Sequence, residues 1–195
     1  MVDPLGSAWS GTLRTILLDR DGVLNEKMPE GRYVTAWPQF RLLPGVPAAI
    51  ACLNQAGLRV IVVSNQRGIS LGLYSAEDVE TIHANLQKEL AKSGARIDGF
   101  YFCPHDKQEC DCRKPLPGMF HQAQRDFPDI TPATSLMIGD SLSDIEFGRR
   151  LGMRTVFIEG DPERRKGGAE KAAKQADASF GSLTKAIESL VASTI

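Results

Sequence analysis

The sequence predicts an α/β fold, a parallel sheet wound on both faces by helices. Three observations predict it. Short runs rich in β-branched residues alternate along the chain with stretches whose apolar residues recur at helical spacing. The short runs show no polar alternation, as expected of strands covered on both faces. The 195 residues are enough for one substantial core and tight for two. The first strand is the apolar run Thr15 to Leu18, which ends in acid. Val46 to Ala56 reads as a helix stopped by Gly57, and Leu58 to Val63 as an unbroken β-branched strand. Ser75 and Asp78 are spaced as a capping box, followed by Val79, Ile82, Leu86 and Leu90 on one helix face as far as Gly94.

Phe100 to Phe102 is a third strand, and Pro117 to Phe127 a helix with proline in its first turn. Ser135 to Ile138 is a strand, Ser141 to Leu151 a helix, Thr155 to Ile158 a strand, and Leu183 to Val191 a last helix. Glu159 to Lys174 is charged and contains glycine, and reads as a surface loop with room for a short helix. Repeated βα units make a Rossmann-like, doubly wound sheet, which binds its ligand at the carboxyl ends of the strands. No repeat, low-complexity tract or linker divides the chain, so residues 1–195 are expected to be one domain, with 1–12 as an N-terminal tail.

Charge and composition remove several function classes. Lys and Arg number 23 against 24 Asp and Glu, a net charge of −1, so nucleic acid is not an expected partner. No apolar run approaches bilayer length, so no membrane partner is expected. Met1 to Gly11 holds Asp3 and Pro4 and no apolar signal region, which points to the cytoplasm. A monomer is expected. Three of the four cysteines, Cys103, Cys110 and Cys112, fall within ten residues. That clustering suits a metal better than disulfides, and Cys52 reads as a small core residue.

The strand ends carry the chemistry. Asp19-Arg20-Asp21-Gly22 follows the first strand, and two carboxylates that close repel unless a cation is near. Mg²⁺, an oxygen-seeking ion, fits them, and a carboxylate beside it can attack phosphorus while a second moves a proton. A plain turn fits the tetrapeptide equally well. Ser64-Asn65-Gln66 ends the second strand, with a hydroxyl and amides suited to phosphoryl oxygens or to a helix cap. Asp140 ends a later strand and could complete the metal site, with Asp144 one helical turn on; both also suit a helix N-terminus. Lys114 offers a cation to balance phosphate, although most lysines are solvated. Cys103-x-His105 and Cys110-x-Cys112 supply three thiolates and an imidazole, a full tetrahedron for Zn²⁺ and therefore a structural rather than catalytic ion. His83, His121, Trp9 and Trp37 read as packing or surface residues.

Taken in order, Asp19-Arg20-Asp21-Gly22-Val23-Leu24-Asn25, Ser64-Asn65-Gln66, Lys114 and Gly139-Asp140…Asp144 resemble the haloacid dehalogenase (HAD) superfamily of phosphohydrolases, from about Leu13 to Leu190. Within it, Asn65 to Gly72 and Cys103-Pro104-His105…Cys110-Asp111-Cys112-Arg113-Lys114-Pro115 resemble the D,D-heptose 1,7-bisphosphate phosphatases. The resemblance implies a capless HAD fold with a short zinc loop. It implies Asp19 as nucleophile and Asp21 as acid and base. Mg²⁺ would be held by Asp19, the Asp21 carbonyl and Asp140, with Asp144 in support. Ser64 and Lys114 would steady the phosphoryl group, assisted by Asn65. Asn25, Tyr33, Gln66, Arg67 and Arg113 would lie on the substrate side, the two arginines suited to a second phosphate.

The implied substrate is a phosphorylated sugar, and the implied reaction removes the 7-phosphate of D-glycero-D-manno-heptose 1,7-bisphosphate. Three departures touch the substrate side: a long Glu26–Arg32 loop, Ser141 where the heptose enzymes often carry lysine, and a short zinc loop. Histidinol-phosphate phosphatase, a nucleic-acid 3′-phosphatase and a zinc-stapled binding module without catalysis are the alternatives.

Overall fold

In the computed structural model the described residues are 13–164 and 167–192. The chain runs β1 (Thr15–Leu18), α1 (Val46–Gln55), β2 (Arg59–Asn65), α2 (Ala76–Ala91), β3 (Gly99–Cys103), α3 (Gly118–Asp126), β4 (Ser135–Gly139), α4 (Leu142–Leu151), β5 (Arg154–Ile158), α5 (Ala169–Gln175), β6 (Ala178–Phe180) and α6 (Leu183–Ala192). The six strands form one parallel sheet in the order β3-β2-β1-β4-β5-β6. The order reverses at β1, which pairs with β2 on one side and β4 on the other, and such a switch point opens a crevice at the carboxyl ends of the strands.

Successive residues of the central strands serve opposite faces. Ile16, Leu18, Val60, Val62, Leu136 and Ile138 join one core with residues of α1 and α6. Leu17, Ile61, Val63 and Met137 join the other with Met119, Phe120 and Phe147 of α3 and α4. β1 and β4 are buried along their whole length, which explains their unbroken apolar sequence.

The capping box at α2 is formed: Asp78 N–H donates to Ser75 Oγ at 3.2 Å and Ser75 N–H to Asp78 Oδ2 at 2.8 Å. Glu159 to Lys174, expected as a loop with room for a short helix, holds a short 3-10 turn, Pro162–Arg164, and all but the last residue of α5. One feature departs from the sequence expectation. β6 is a three-residue edge strand, Ala-Ser-Phe, too short for any periodicity to reveal, and it forms because β5 offers an unpaired edge. The expected tail, 1–12, lies outside the described residues. No helix among them is long and apolar enough to cross a membrane.

Candidate active site

β1, β2 and β4 deliver their carboxyl ends to one crevice. Asp19 N–H donates to Ile138 O at 2.9 Å, so the first acid is fixed to β4 as well as to its own strand. The chain then turns sharply, with Leu24 N–H on Arg20 O and Gly22 N–H on Asn25 O, both at 2.8 Å. Gly22 has φ +92° there, and a Cβ on it would lie 2.0 Å from Asp140 Oδ2. Glycine thus allows the β1 loop and the β4 end to approach each other.

Lys114 is buried at the centre. Its ammonium lies 3.0 Å from Asp19 Oδ1 and 2.6 Å from Asp144 Oδ1, and donates to Val63 O at 2.6 Å. Burial opposes its charge, but Asp144 and then Asp19 outweigh that and raise its pKa. Burial, and then Asp144, raise the Asp19 carboxyl, with Lys114 pulling the other way. Asp144 Oδ2 accepts from Ser141 N–H at 2.9 Å and Ser141 Oγ at 2.6 Å. Asp144 therefore caps α4 and pairs with Lys114 at once.

The surroundings of Asp21 favour its charged form. Burial works against its charge, but Arg20 and hydrogen bonds from Asn25, Arg20 and Gln66 outweigh it and keep the carboxyl below the ordinary range. Arg20 Nη2 lies 2.9 Å from Asp21 Oδ2 and Asn25 Nδ2 donates to Oδ1 at 2.9 Å. Gln66 Nε2 donates to Oδ2 at 3.2 Å.

Asp19, Asp140 and Asp144 each offer a carboxylate oxygen within 4.8 Å of the others. Asp140 Oδ1 is buried with no hydrogen-bond partner, and Oδ2 forms an ion pair with Lys27. Burial pushes the Asp140 carboxyl up to about 7, Lys27 lowers it, and Asp19 and Asp144 add to the rise. Crowded, desolvated carboxylates with an orphaned oxygen fit a hard divalent cation such as Mg²⁺.

Of the remaining expected residues, Ser64, Asn65, Tyr33, Arg67 and Arg113 line a cleft of about 830 Å³ above these acids. Asn65 clamps the Lys114 backbone, accepting from its N–H at 3.0 Å and donating to its carbonyl at 3.1 Å. Arg67 makes a two-point pair with Asp106 at 2.6 and 2.9 Å, and Arg113 donates to His105 O at 3.3 Å. Asn25 and Gln66 are buried behind Asp21, at 0% and 2% exposure, rather than in the cleft wall. Arg20, Lys27 and Arg164 escaped the sequence reading. Arg20 had a signal, being flanked by the two acids; Lys27 sits in an irregular loop, and nothing in its sequence marked it.

Cys103, His105, Cys110 and Cys112 converge, with neighbouring Sγ and Nδ1 atoms 3.3 to 3.7 Å apart. Zinc–sulfur bonds of about 2.3 Å imply tetrahedral edges of about 3.8 Å, close to this spacing. Burial, then Cys103 and Cys110, push the Cys112 thiol up, a cost that a dication relieves. The cluster is compatible with Zn²⁺. His83 is packed on Phe100 at 4.4 Å, His121 is exposed beside Gln124, and Trp37 stacks on Phe40 at 5.1 Å. Trp9 lies outside the described residues.

A family model for HAD-like hydrolases matches residues 111–186. The chain is 43% identical over 169 residues to the D-glycero-alpha-D-manno-heptose-1,7-bisphosphate 7-phosphatase of Mycobacterium bovis, covering 86% of each. The chain belongs to the heptose-bisphosphate phosphatase family of HAD-like hydrolases. It is also 38% identical to the beta-anomer phosphatase of Rhodopseudomonas palustris, covering 74% of this chain and 82% of that one. Among solved structures, the D,D-heptose 1,7-bisphosphate phosphatase of B. bronchiseptica, complexed with magnesium and phosphate, superposes with a TM-score of 0.80 at 31% identity, covering 92% and 99% of the two chains.

Proposed function

We propose that the protein is a Mg²⁺-dependent phosphohydrolase that removes the 7-phosphate of D-glycero-D-manno-heptose 1,7-bisphosphate. The observation that carries the reading is the grouping of Asp19, Asp21 and Lys114 in the cleft, with a carboxylate oxygen of Asp140 within 4.8 Å of one of Asp19. The cleft wall fits a substrate that carries two phosphate groups. Eight basic against five acidic side chains line it, in a chain whose net charge is −1. The names of the relatives agree with that substrate.

Asp19 attacks the phosphorus, its carboxylate oxygen forming the new P–O bond as the ester oxygen leaves with the bond electrons. Asp21 enters this step protonated and gives its proton to that oxygen; as the carboxylate its neighbours favour, it then takes a proton from the water that attacks the aspartyl-phosphate, releasing inorganic phosphate and restoring Asp19. Lys114 and Ser64 hold the equatorial oxygens, and Asn65 fixes where Lys114 starts. Asp19, the Asp21 carbonyl and Asp140 would hold Mg²⁺, which supplies charge neutralisation to the phosphoryl oxygens. The Cys103–His105–Cys110–Cys112 set would hold Zn²⁺ as a staple, aiming Arg113 and Lys114 into the cleft. Arg113 and Arg67 meet the second phosphate.

The test is phosphate release from the α and β heptose bisphosphates, other sugar phosphates and histidinol phosphate, ranked by kcat/KM with Mg²⁺ present. The heptose bisphosphates are expected to lead, and histidinol phosphate in first place overturns the substrate. Asp19→Asn keeps the shape and loses the nucleophile, so turnover should fall by about 10³-fold or more with an unchanged fold. Near-normal turnover in that variant rejects the covalent route.

A further inference from the structure

Lys27 belongs to the loop between Asn25 and Tyr33, and its side chain is only 9% exposed. A lysine is rarely buried without a fixed partner, because its ammonium loses its hydration. Its partner here is Asp140 Oδ2, the outer oxygen of the carboxylate whose inner oxygen, Oδ1, is the orphan that fits a cation. Arg164 holds the Lys27 carbonyl at 2.8 Å, which anchors the loop from the far side. Lys27 also lines the substrate cleft, so its charge is felt by the metal ligands and by an incoming anion.

The charges of the inner site make the consequence concrete. Asp19, Asp21, Asp140 and Asp144 supply four carboxylates, and Arg20, Lys27 and Lys114 three cations. The set carries one negative charge in excess, and a bound dication turns it to one positive. Without Lys27 the loaded site would be neutral. We propose that Lys27 is an anion-binding residue of this site, which strengthens the hold on a phosphate dianion and weakens the hold on the divalent cation. Both effects follow from one fixed positive charge beside a shared carboxylate in a desolvated setting. The inference rests on the phosphohydrolase reading for its ligands, not on the identity of the sugar.

The experiment measures two affinities and does not depend on turnover. Mn²⁺ alone is titrated into the chelator-treated protein and followed by its electron paramagnetic resonance. Inorganic phosphate is then titrated calorimetrically into the Mg²⁺-loaded protein. In Lys27→Gln, which keeps a polar donor and removes the charge, Mn²⁺ should bind about tenfold tighter and phosphate about tenfold weaker. Lys27→Arg, which keeps the charge, should stay near wild type in both. A structural role for Lys27 would weaken both together in Lys27→Gln, and that result overturns the proposal, as does no change in either. A wild-type protein that binds neither ion overturns the phosphohydrolase reading along with it. Binding of both ions with no opposite shift in the variant overturns the role of Lys27 alone.

Discussion

Gln66 uses both ends of its amide inside the protein. Its NH₂ donates to Ser64 Oγ at 2.6 Å and to Asp21 Oδ2 at 3.2 Å, while its oxygen accepts from Tyr74 Oη at 2.8 Å and Arg20 Nη2 at 3.2 Å. A side chain with four such partners has no polar atom left over for a sugar, so its effect on catalysis runs through Asp21 and Ser64. Gln66→Met preserves volume and removes every one of these bonds. Hydrogen bonds to charged groups contribute about 1.5–3 kcal/mol, so kcat should drop by about 10- to 100-fold. KM for the preferred substrate should stay within about threefold, since uniform binding is untouched. Steady-state kinetics decides it: a raised KM at unchanged kcat would make Gln66 a substrate contact instead.

At the scale of elements, the first turn of α3 is seated directly on the loop that carries Cys103 to Cys112, the proposed zinc site. Gly118 N–H donates to Asp111 O at 3.0 Å, and a Cβ on Gly118 would lie 2.7 Å from both Asp111 O and Cys112 Cα. Those are backbone atoms, which cannot swing aside. Gly118→Ala should therefore push the Asp111–Cys112 segment off the helix, moving Cys112, a proposed zinc ligand, and the Arg113–Lys114 pair that follows. Overpacking of this kind costs about 1–3 kcal/mol. The expected result is a lower melting temperature together with a substoichiometric zinc content by elemental analysis. Full zinc with a wild-type melting curve would show that the contact relaxes without cost. The element also explains why a loop of polar residues is well placed: it is pinned by α3 on one side and by the Arg67–Asp106 pair on the other.

For the whole molecule, one buried histidine sets part of the acid sensitivity. His83 on α2 is 5% exposed and stacks on Phe100 of β3. Burial, and then the nearby Arg20, lower its pKa from 6.5 to about 3. The unfolded chain binds a proton below pH 6.5 that the native state refuses. The stabilising effect is therefore complete above pH 6.5 and is lost as the pH falls toward about 3. The slope is about 1.4 kcal/mol per pH unit, or about 2 kcal/mol by pH 5. His83→Phe keeps an aromatic stack and does not titrate. Its urea midpoint should fall less than that of wild type between about pH 7.5 and pH 5, and parallel falls would refute the assignment.

The sequence by itself determined five of the six strands, the order of the chemistry and the kind of metal each cluster suits. Unbroken apolar runs have no other stable home than a sheet covered on both faces; Asp19 and Ser64 follow two of those runs directly, Asp140 follows a third after one glycine, and Lys114 comes farther along in the loop beyond another. Cys103 to Cys112 were legible because thiolates and imidazole at short spacing have few other uses. Only the tertiary structure decided which polar residues face the cleft and which stand behind the acids. Asn25 and Gln66 were read as substrate residues because they adjoin the motifs, yet a one-residue step in a turn separates cleft wall from buried support. Lys27 and Asp140 are 113 positions apart in the chain. Their pairing comes from the β1 and β4 ends meeting across Gly22, a contact between distant segments that no local pattern encodes.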